Sequence, residues 1–260
     1  MYYQRTRGLR IKDFWFVNDR ERDLEPGADF AQYHDMPAVP GDTQNMMVQN
    51  QRLTLVNDLT ETEEELMARF KKNTKYEIKR AAKEGSYAEF LSGAALLEKK
   101  EILARIDKAH AQMFADKGKK SKREYPTMLA AAKANMLTVT VGYLPDGREC
   151  AYHVYIVGNG TARLLHSISV FREATSNEDR NAIGRLNRFL HYADMQHLKQ
   201  GGYTVYDWGG YSEEEQLKSI SDFKKAFGGE ITEIYTVIYA TSPVGKLLSK
   251  LVKWVKFRGK

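Results

Sequence analysis

Residues 137–170 read LTVTVGYLPDGRECAYHVYIVGNGTARLLHSISV. Three apolar runs, Leu137–Leu144, Cys150–Val157 and Thr161–Val170, are separated by Pro145-Asp146-Gly147 and Gly158-Asn159-Gly160. Connections that short, built from Pro, Asp, Asn and Gly, are hairpin turns, so the stretch predicts an antiparallel three-strand meander. The period then changes. Residues 182–200 predict a helix stopped by Gly201-Gly202, and Tyr203–Trp208 a short strand. Strand, helix and strand in that order predict a right-handed parallel crossover, because parallel neighbours need a long connection. A short helix over Leu217–Phe227 and a last strand over Glu230–Ala240 follow.

Upstream of the meander the signals are helical. Thr60 with Glu63 reads as a capping box, acids crowd the first turn from Glu61 to Glu65, and Leu66, Met67 and Phe70 form the apolar face. Asn73 or Thr74 is expected to cap a second helix that runs to Glu84 and stops at Gly85, with Lys72, Lys75, Lys79 and Lys83 on one face. Residues 96–116 predict one longer amphipathic helix, and Pro126–Ala134 another. Residues 1–57 hold short β-type runs, Phe14–Val17 and Arg52–Val56, around a stretch with Pro26, Pro37 and Pro40, and predict an irregular lobe. The chain thus divides into an N-terminal lobe (1–57), a central domain (58–240) and a basic amphipathic C-terminal helix (241–260).

With 260 residues, 42% hydrophobic and 28% charged, the chain can bury a core and is neither disordered nor fibrous. Its net charge of +6 is unevenly spread. Residues 69–83 carry +6, residues 246–260 another +6 with no acid, and residues 117–123 hold five basic groups. Those segments total +17, leaving −11 on everything else: an acidic body with three basic segments, which points to an anionic partner. In the last segment Leu247, Leu248, Leu251, Trp254 and Val255 make an apolar stripe opposite the lysines. That helix is either interfacial at a membrane or docked on its own domain.

Several classes are not expected. A single cysteine, Cys150, allows no intrachain disulfide, and the six histidines show no tight metal-binding pair, so neither a metal site nor a tightly bound cofactor is expected. There is no Walker loop, no Gly-x-Gly-x-x-Gly and no Gly-x-Ser-x-Gly. No window reaches the roughly 18 apolar residues of a membrane span, and the N-terminus lacks a signal-peptide core. A cytoplasmic location is expected, peripheral to the inner face of a membrane if the C-terminal helix is interfacial.

The element order resembles the GNAT N-acyltransferase core, in which two parallel strands splay to admit an acyl donor beside a helix N-terminus. Two local motifs sharpen this. Residues 75–85, Lys-Tyr-Glu-Ile-Lys-Arg-Ala-Ala-Lys-Glu-Gly, resemble the Arg-x-x-Ile-Arg-x-Ala-x-x-x-Gly helix of the Fem family, with Lys75 and Lys79 in place of arginines. Residues 206–210, Tyr-Asp-Trp-Gly-Gly, followed by residues 223–229, Phe-Lys-Lys-Ala-Phe-Gly-Gly, resemble that family's Tyr-Asp-x-x-Gly … Phe-Lys-x-x-Phe-Gly signature. The resemblance runs from about Thr54 to Ala240. It implies an α/β (α+β) GNAT-like fold, a mixed sheet flanked by helices, with the first of the two GNAT-like domains of Fem enzymes reduced to the N-terminal lobe. Fem enzymes are aminoacyl-tRNA-dependent transferases that build peptidoglycan bridges, and GNAT-like acyltransferases of cell-surface pathways share both motifs. The implied activity is amide formation on an amine acceptor in cell-envelope biosynthesis, with aminoacyl-tRNA or acyl-CoA as donor.

Specific residues carry the expected chemistry. Lys224, between Phe223 and Phe227, is the candidate oxyanion stabiliser, and Asp207, at the end of the parallel strand, a candidate base for the attacking amine. Lys75, Lys79 and Arg80 are candidates for acceptor phosphates, with Tyr206, Trp208, Tyr211 and Phe223 also expected at the substrate. On the donor side, residues 179–186 hold one glycine, Gly184, where the coenzyme A pyrophosphate loop needs more. Arg180, Arg185 and Arg188 are candidates for donor phosphates instead. Two other readings stay open: an acetyl-CoA-dependent N-acetyltransferase on a sugar amine, and a non-catalytic binder of RNA or another anionic polymer. Oligomeric state is not legible.

Overall fold

In the computed structural model the meander forms as read. Strands β6 (Leu137–Tyr143), β7 (Glu149–Gly158) and β8 (Thr161–Ser169) pair antiparallel, Val139 opposite Val154 and Val154 opposite His166. Helix α6 (Asn177–Gln200) then returns the chain to β9 (Val205–Asp207). Strand β9 runs parallel to β8 over three residue pairs, Thr161 opposite Val205 to Arg163 opposite Asp207. The structure describes residues 2–6, 8–17, 27–39, 41, 45–171, 174 and 176–258, with side chains as far as Leu251.

Contacts divide the chain into two units, Met1–Leu53 with Glu233–Lys260, and Thr54–Thr232. The chain passes between them inside β4 (Met46–Asp58) and β10 (Glu230–Ala240). In the second unit the sheet order is β4-β9-β8-β7-β6-β5, with β5 at Tyr87–Ser92, and β8/β9 is its parallel pair. Helices α1 (Glu63–Arg69), α2 (Lys72–Glu84), α3 (Gly93–Glu98), α4 (Glu101–Ala115), α5 (Tyr125–Lys133) and α7 (Lys218–Lys225) complete it. Its core gathers Leu55, Leu66, Phe70, Ile78, Tyr155, Met195, Tyr206, Trp208 and Phe227, all buried. Each large apolar side chain buried here contributes about 1.5–3 kcal/mol relative to exposure.

Local details differ from the sequence reading for identifiable reasons. The capping box is Thr62 with Glu65: the Thr62 hydroxyl accepts from Glu65 N–H, and Glu65 accepts from Thr62 N–H at 2.8 Å. Thr60 is engaged instead by Asp58, which accepts from both its N–H and its hydroxyl. Helix α2 starts at Lys72 with no side-chain cap, so neither Asn73 nor Thr74 caps it, and it ends on Gly85 at φ +92° as expected. The helix expected over 96–116 is two helices, α3 and α4. Leu96 and Leu103 are buried on either side of the break, so the apolar period runs through it unaltered.

The first unit is more regular than read. Strands β1 (Tyr2–Thr6), β2 (Arg10–Trp15) and β3 (Phe30–Met36) join β10 in the order β1-β2-β3-β10. Strands β2 and β3 run parallel, and β3 and β10 antiparallel. Phe14 stacks on Tyr33 at 4.8 Å, and Tyr33 meets Tyr239 edge-on. Residues 233–240, read as the end of the central domain, and the C-terminal segment share the unit of these N-terminal strands. Helix α8 (Pro243–Arg258) closes the unit; the side chains of Trp254 and Val255 in the expected stripe lie outside the described residues. Among the described residues no helix is long and apolar enough to cross a membrane.

Candidate active site

The signature residues 206–210 and 223–229 meet where β8 and β9 stop pairing. After Asp207 the chain turns sharply at Gly209 and Gly210, with φ of +71° and +113°. A Cβ on Gly209 would lie 1.9 Å from the Leu164 carbonyl oxygen, so the approach of this turn to β8 requires glycine. Asp207 builds the turn: its Oδ1 accepts from Gly209 N–H at 2.8 Å and from the Thr54 hydroxyl, and that hydroxyl accepts from Gly210 N–H at 3.1 Å. The other carboxylate oxygen faces the buried Arg163 guanidinium at 3.9 Å. The neighbouring Trp208 donates to Asn57 at 2.7 Å, and Asn57 donates to the Phe227 carbonyl at 3.0 Å. Asp207 is therefore buried and committed to the turn.

Lys224 completes the constellation from α7. Its ammonium donates to the Trp208 carbonyl at 2.9 Å and to the Gly210 carbonyl. An ammonium has three N–H donors, and among the described residues no group takes the third. Burial pushes the Lys224 pKa down to about 8, against the opposing pull of Asp207. Phe227, one helical turn from Phe223, is fully buried against Trp208 at 4.9 Å and Phe70 at 5.2 Å, so the Phe-x-x-x-Phe pair anchors the helix that carries the lysine.

The other expected site residues separate into three groups. Tyr206 and Trp208, expected at the substrate, are 0% and 1% exposed; they are wall rather than contact surface. Tyr211 and Phe223 are half-buried, Tyr211 beneath the Lys225 ammonium at 4.9 Å and Phe223 beneath the Arg188 guanidinium at 5.1 Å. Lys75 donates to the Ala68 carbonyl at 3.0 Å, and Lys79 is exposed. Arg80 leaves those lysines and joins the donor set: with Arg180, Arg185 and Arg188 it lines one cavity of about 370 Å³, bounded also by Asn73, Glu77, Phe171 and Gly184. Helices α2 and α6 are tied across this cavity. Arg185, buried, donates to Glu84 at 3.0 Å and Glu178 at 2.9 Å, and Arg80 pairs with the same two acids. Arg180 and Arg188 have no carboxylate partner among the described residues; Arg188 donates to the Gly184 carbonyl at 3.1 Å.

One group escaped sequence reasoning. Behind Trp208 lies a buried polar chain: His191 to Tyr206 (2.7 Å), Tyr206 to Tyr155 (2.8 Å), Tyr155 to Asp194 (2.5 Å) and Asp194 to His153 (2.6 Å). His153 continues to Asn187 at 3.0 Å and Ser167 at 3.1 Å. Burial holds His191 well below the ordinary histidine range, reinforced by His153, Lys224 and Arg188. His153, His191 and Asp194 bring one ligand-type atom each within 4.8 Å of one another, yet most of those atoms are engaged inside the chain. The sequence signal was slight: β-strand alternation at 153 and 155, and i, i+3 spacing at 191 and 194.

No protein-family model and no curated protein matches the chain. Solved structures do. The chain is similar to FemX, with a TM-score of 0.62 at 13% identity over 95% of this chain and 86% of that one. It is similar to the C-terminal domain of a putative lysylphosphatidylglycerol synthetase from Agrobacterium fabrum, with a TM-score of 0.56 at 16% identity over 96% and 83%. L-PGS from Bacillus licheniformis aligns with a TM-score of 0.51 at 11% identity over 99% and 86%. At these identities the likeness is one of fold: the mixed α/β fold, a large sheet flanked by helices, is the fold this chain shares with FemX.

Proposed function

We propose that this chain, having the fold of FemX, is an acyl or aminoacyl transferase that forms an amide on an amine acceptor in cell-envelope biosynthesis. The observation that carries the reading is Lys224. Its ammonium is anchored on two carbonyls of the 208–210 turn, half-buried, with one donor that no group among the described residues takes. Amide formation passes through a tetrahedral intermediate, and a fixed cation at the developing oxyanion typically accelerates such a step by 10²–10³. Asp207, with Thr54 and Arg163, holds the turn that holds the lysine. The acceptor amine attacks the donor carbonyl carbon, the Lys224 N–H carries the oxyanion, and collapse expels the donor's alkoxide or thiolate, which takes up the proton that the amine loses.

The arginine cavity beside Phe223 suits a phosphate-bearing substrate, with Arg180 and Arg188 as its cations that have no carboxylate partner among the described residues. We assign the donor to aminoacyl-tRNA rather than acyl-CoA. The first turn of α6 already carries Glu178 and Asp179, negative charge in the turn whose positive dipole a pyrophosphate would seek.

The test is transfer itself. Purified chain is incubated with a pool of labelled aminoacyl-tRNA, or with labelled acetyl-CoA, and an extract of amine-bearing envelope precursors. Label entering the precursor fraction from aminoacyl-tRNA, and falling at least a hundredfold in Lys224→Ala, is the expected result. Tight calorimetric binding and turnover of acetyl-CoA would overturn the donor assignment, and no transfer from either donor would overturn the enzyme.

A further inference from the structure

We infer that α8 is a docking helix for an anionic membrane surface, entering the interface with its uncovered apolar side. The helix is attached to its own unit by small residues. Gly245 and Ser249 are buried, and a Cβ on Gly245 would lie 2.1 Å from the Asp29 carbonyl oxygen. The start of the helix is tied to the same aspartate, since Ser242 donates to Asp29 at 2.8 Å and accepts from Gly245 N–H at 3.0 Å. The bulky residues point elsewhere. Val244, Leu247 and Leu251 are 53%, 61% and 50% exposed, at i, i+3 and i+7, one continuous stripe. A helix that needed all its leucines to hold it in place would bury them; this one docks through glycine and serine, half-buries Leu248 and leaves Leu247 and Leu251 in water.

Charge selects what covers the stripe. Lys246 and Lys250 are exposed on its flank, and residues 243–260 hold six basic groups and no acid. Apolar residues beside an acid-free basic edge are complementary to lipid tails under anionic headgroups. A second copy of the chain would bring six positive charges against six, which disfavours a homodimer through this face. This surface does not depend on the transfer reaction: it lies in the unit that contains none of Lys224, Asp207 or the arginine cavity.

The experiment is sedimentation of the full chain with vesicles of phosphatidylcholine alone or with added phosphatidylglycerol. Binding to the anionic vesicles, weakened by salt and weak on phosphatidylcholine, is expected. Lys246→Glu with Lys250→Glu should lower partitioning at least thirtyfold, taking each lysine's attraction to such a surface as roughly a fivefold effect. Leu247→Asn with Leu251→Asn should lower it at least tenfold without changing circular dichroism or melting. The inference is overturned by no binding to anionic vesicles, by equal binding to phosphatidylcholine, or by leucine variants that bind unchanged. It is equally overturned by a dimer in solution that Leu251→Asn dissociates.

Discussion

Lys224 carries a proton whose loss near neutrality can be measured. Desolvation lowers its pKa to about 8, so the ammonium is charged below that value and neutral above it. A neutral amine stabilises an oxyanion far less than an ammonium does, so turnover should fall as pH rises through about 8. Lys224→Arg keeps the charge at every accessible pH, so its alkaline limb should move up by more than one unit even if its overall rate is lower. A pH–rate profile with the same alkaline limb in both proteins would show that Lys224 is not the titrating group. The glycine beside it makes a different prediction. Gly209→Ala sets a methyl 1.9 Å from the Leu164 carbonyl at a φ of +71°, which combines overlap with backbone strain. A loss of about 3 kcal/mol is expected, read as a lowered urea midpoint.

At the scale of elements, α2 and α6 line one cavity with arginines that the sequence offered as two sets. The motif on α2 was legible because its residues lie within eleven positions, and its basic face followed from helical spacing. What spacing does not give is which side of α2 meets α6. That is decided by Arg185, whose buried guanidinium draws in Glu84 from α2 and Glu178 from its own helix, so Arg80 comes along and Lys79 is left in solvent. The capping box was misplaced by two residues for a similar reason: Thr60/Glu63 and Thr62/Glu65 both satisfy the pattern, and Asp58 decides between them by engaging Thr60. The arginines of the cavity should therefore divide by function. Arg188→Ala and Arg180→Ala remove cations with no carboxylate partner among the described residues. Each should raise KM for a phosphate-bearing substrate roughly tenfold, the low end of a charge-assisted hydrogen bond, with kcat nearly unchanged. Arg185→Ala removes a structural tie, and should cost about 1–2 kcal/mol of stability in a chemical denaturation curve.

Across the whole molecule, legibility followed sequence distance. The meander and crossover span 137–208 in consecutive elements, so periodicity and turn chemistry found them. The pairing of β3 with β10 joins residues some two hundred apart and left no local trace, which is why residues 1–57 read as irregular. The buried chain from His191 to His153 was hidden in the same way, its members scattered over β7, α6 and β9. Buried histidines have a consequence for the folded state that contact-by-contact reading does not reveal. Burial lowers the pKa of His191 well below normal, lowers His166 to about 4, and lowers His110. In the unfolded chain all three take up a proton near pH 6.5, and in the folded chain each does so only at lower pH, His191 and His166 much lower. The unfolded state then binds more protons, so stability is full above about 6.5 and is lost as pH falls toward 4, by up to about 1.4 kcal/mol per pH unit for each histidine. The carboxylates held low by partners, such as Glu84 and Glu89, act in a different window, because their stabilisation fades only as pH falls below the ordinary carboxylate range of about 4. Between pH 6.5 and 5 the histidines therefore act almost alone. Urea midpoints should drop measurably across that interval, and His166→Phe should flatten the slope; a midpoint that stays level from pH 7.5 to 5 would mean that these rings are protonated in the folded protein.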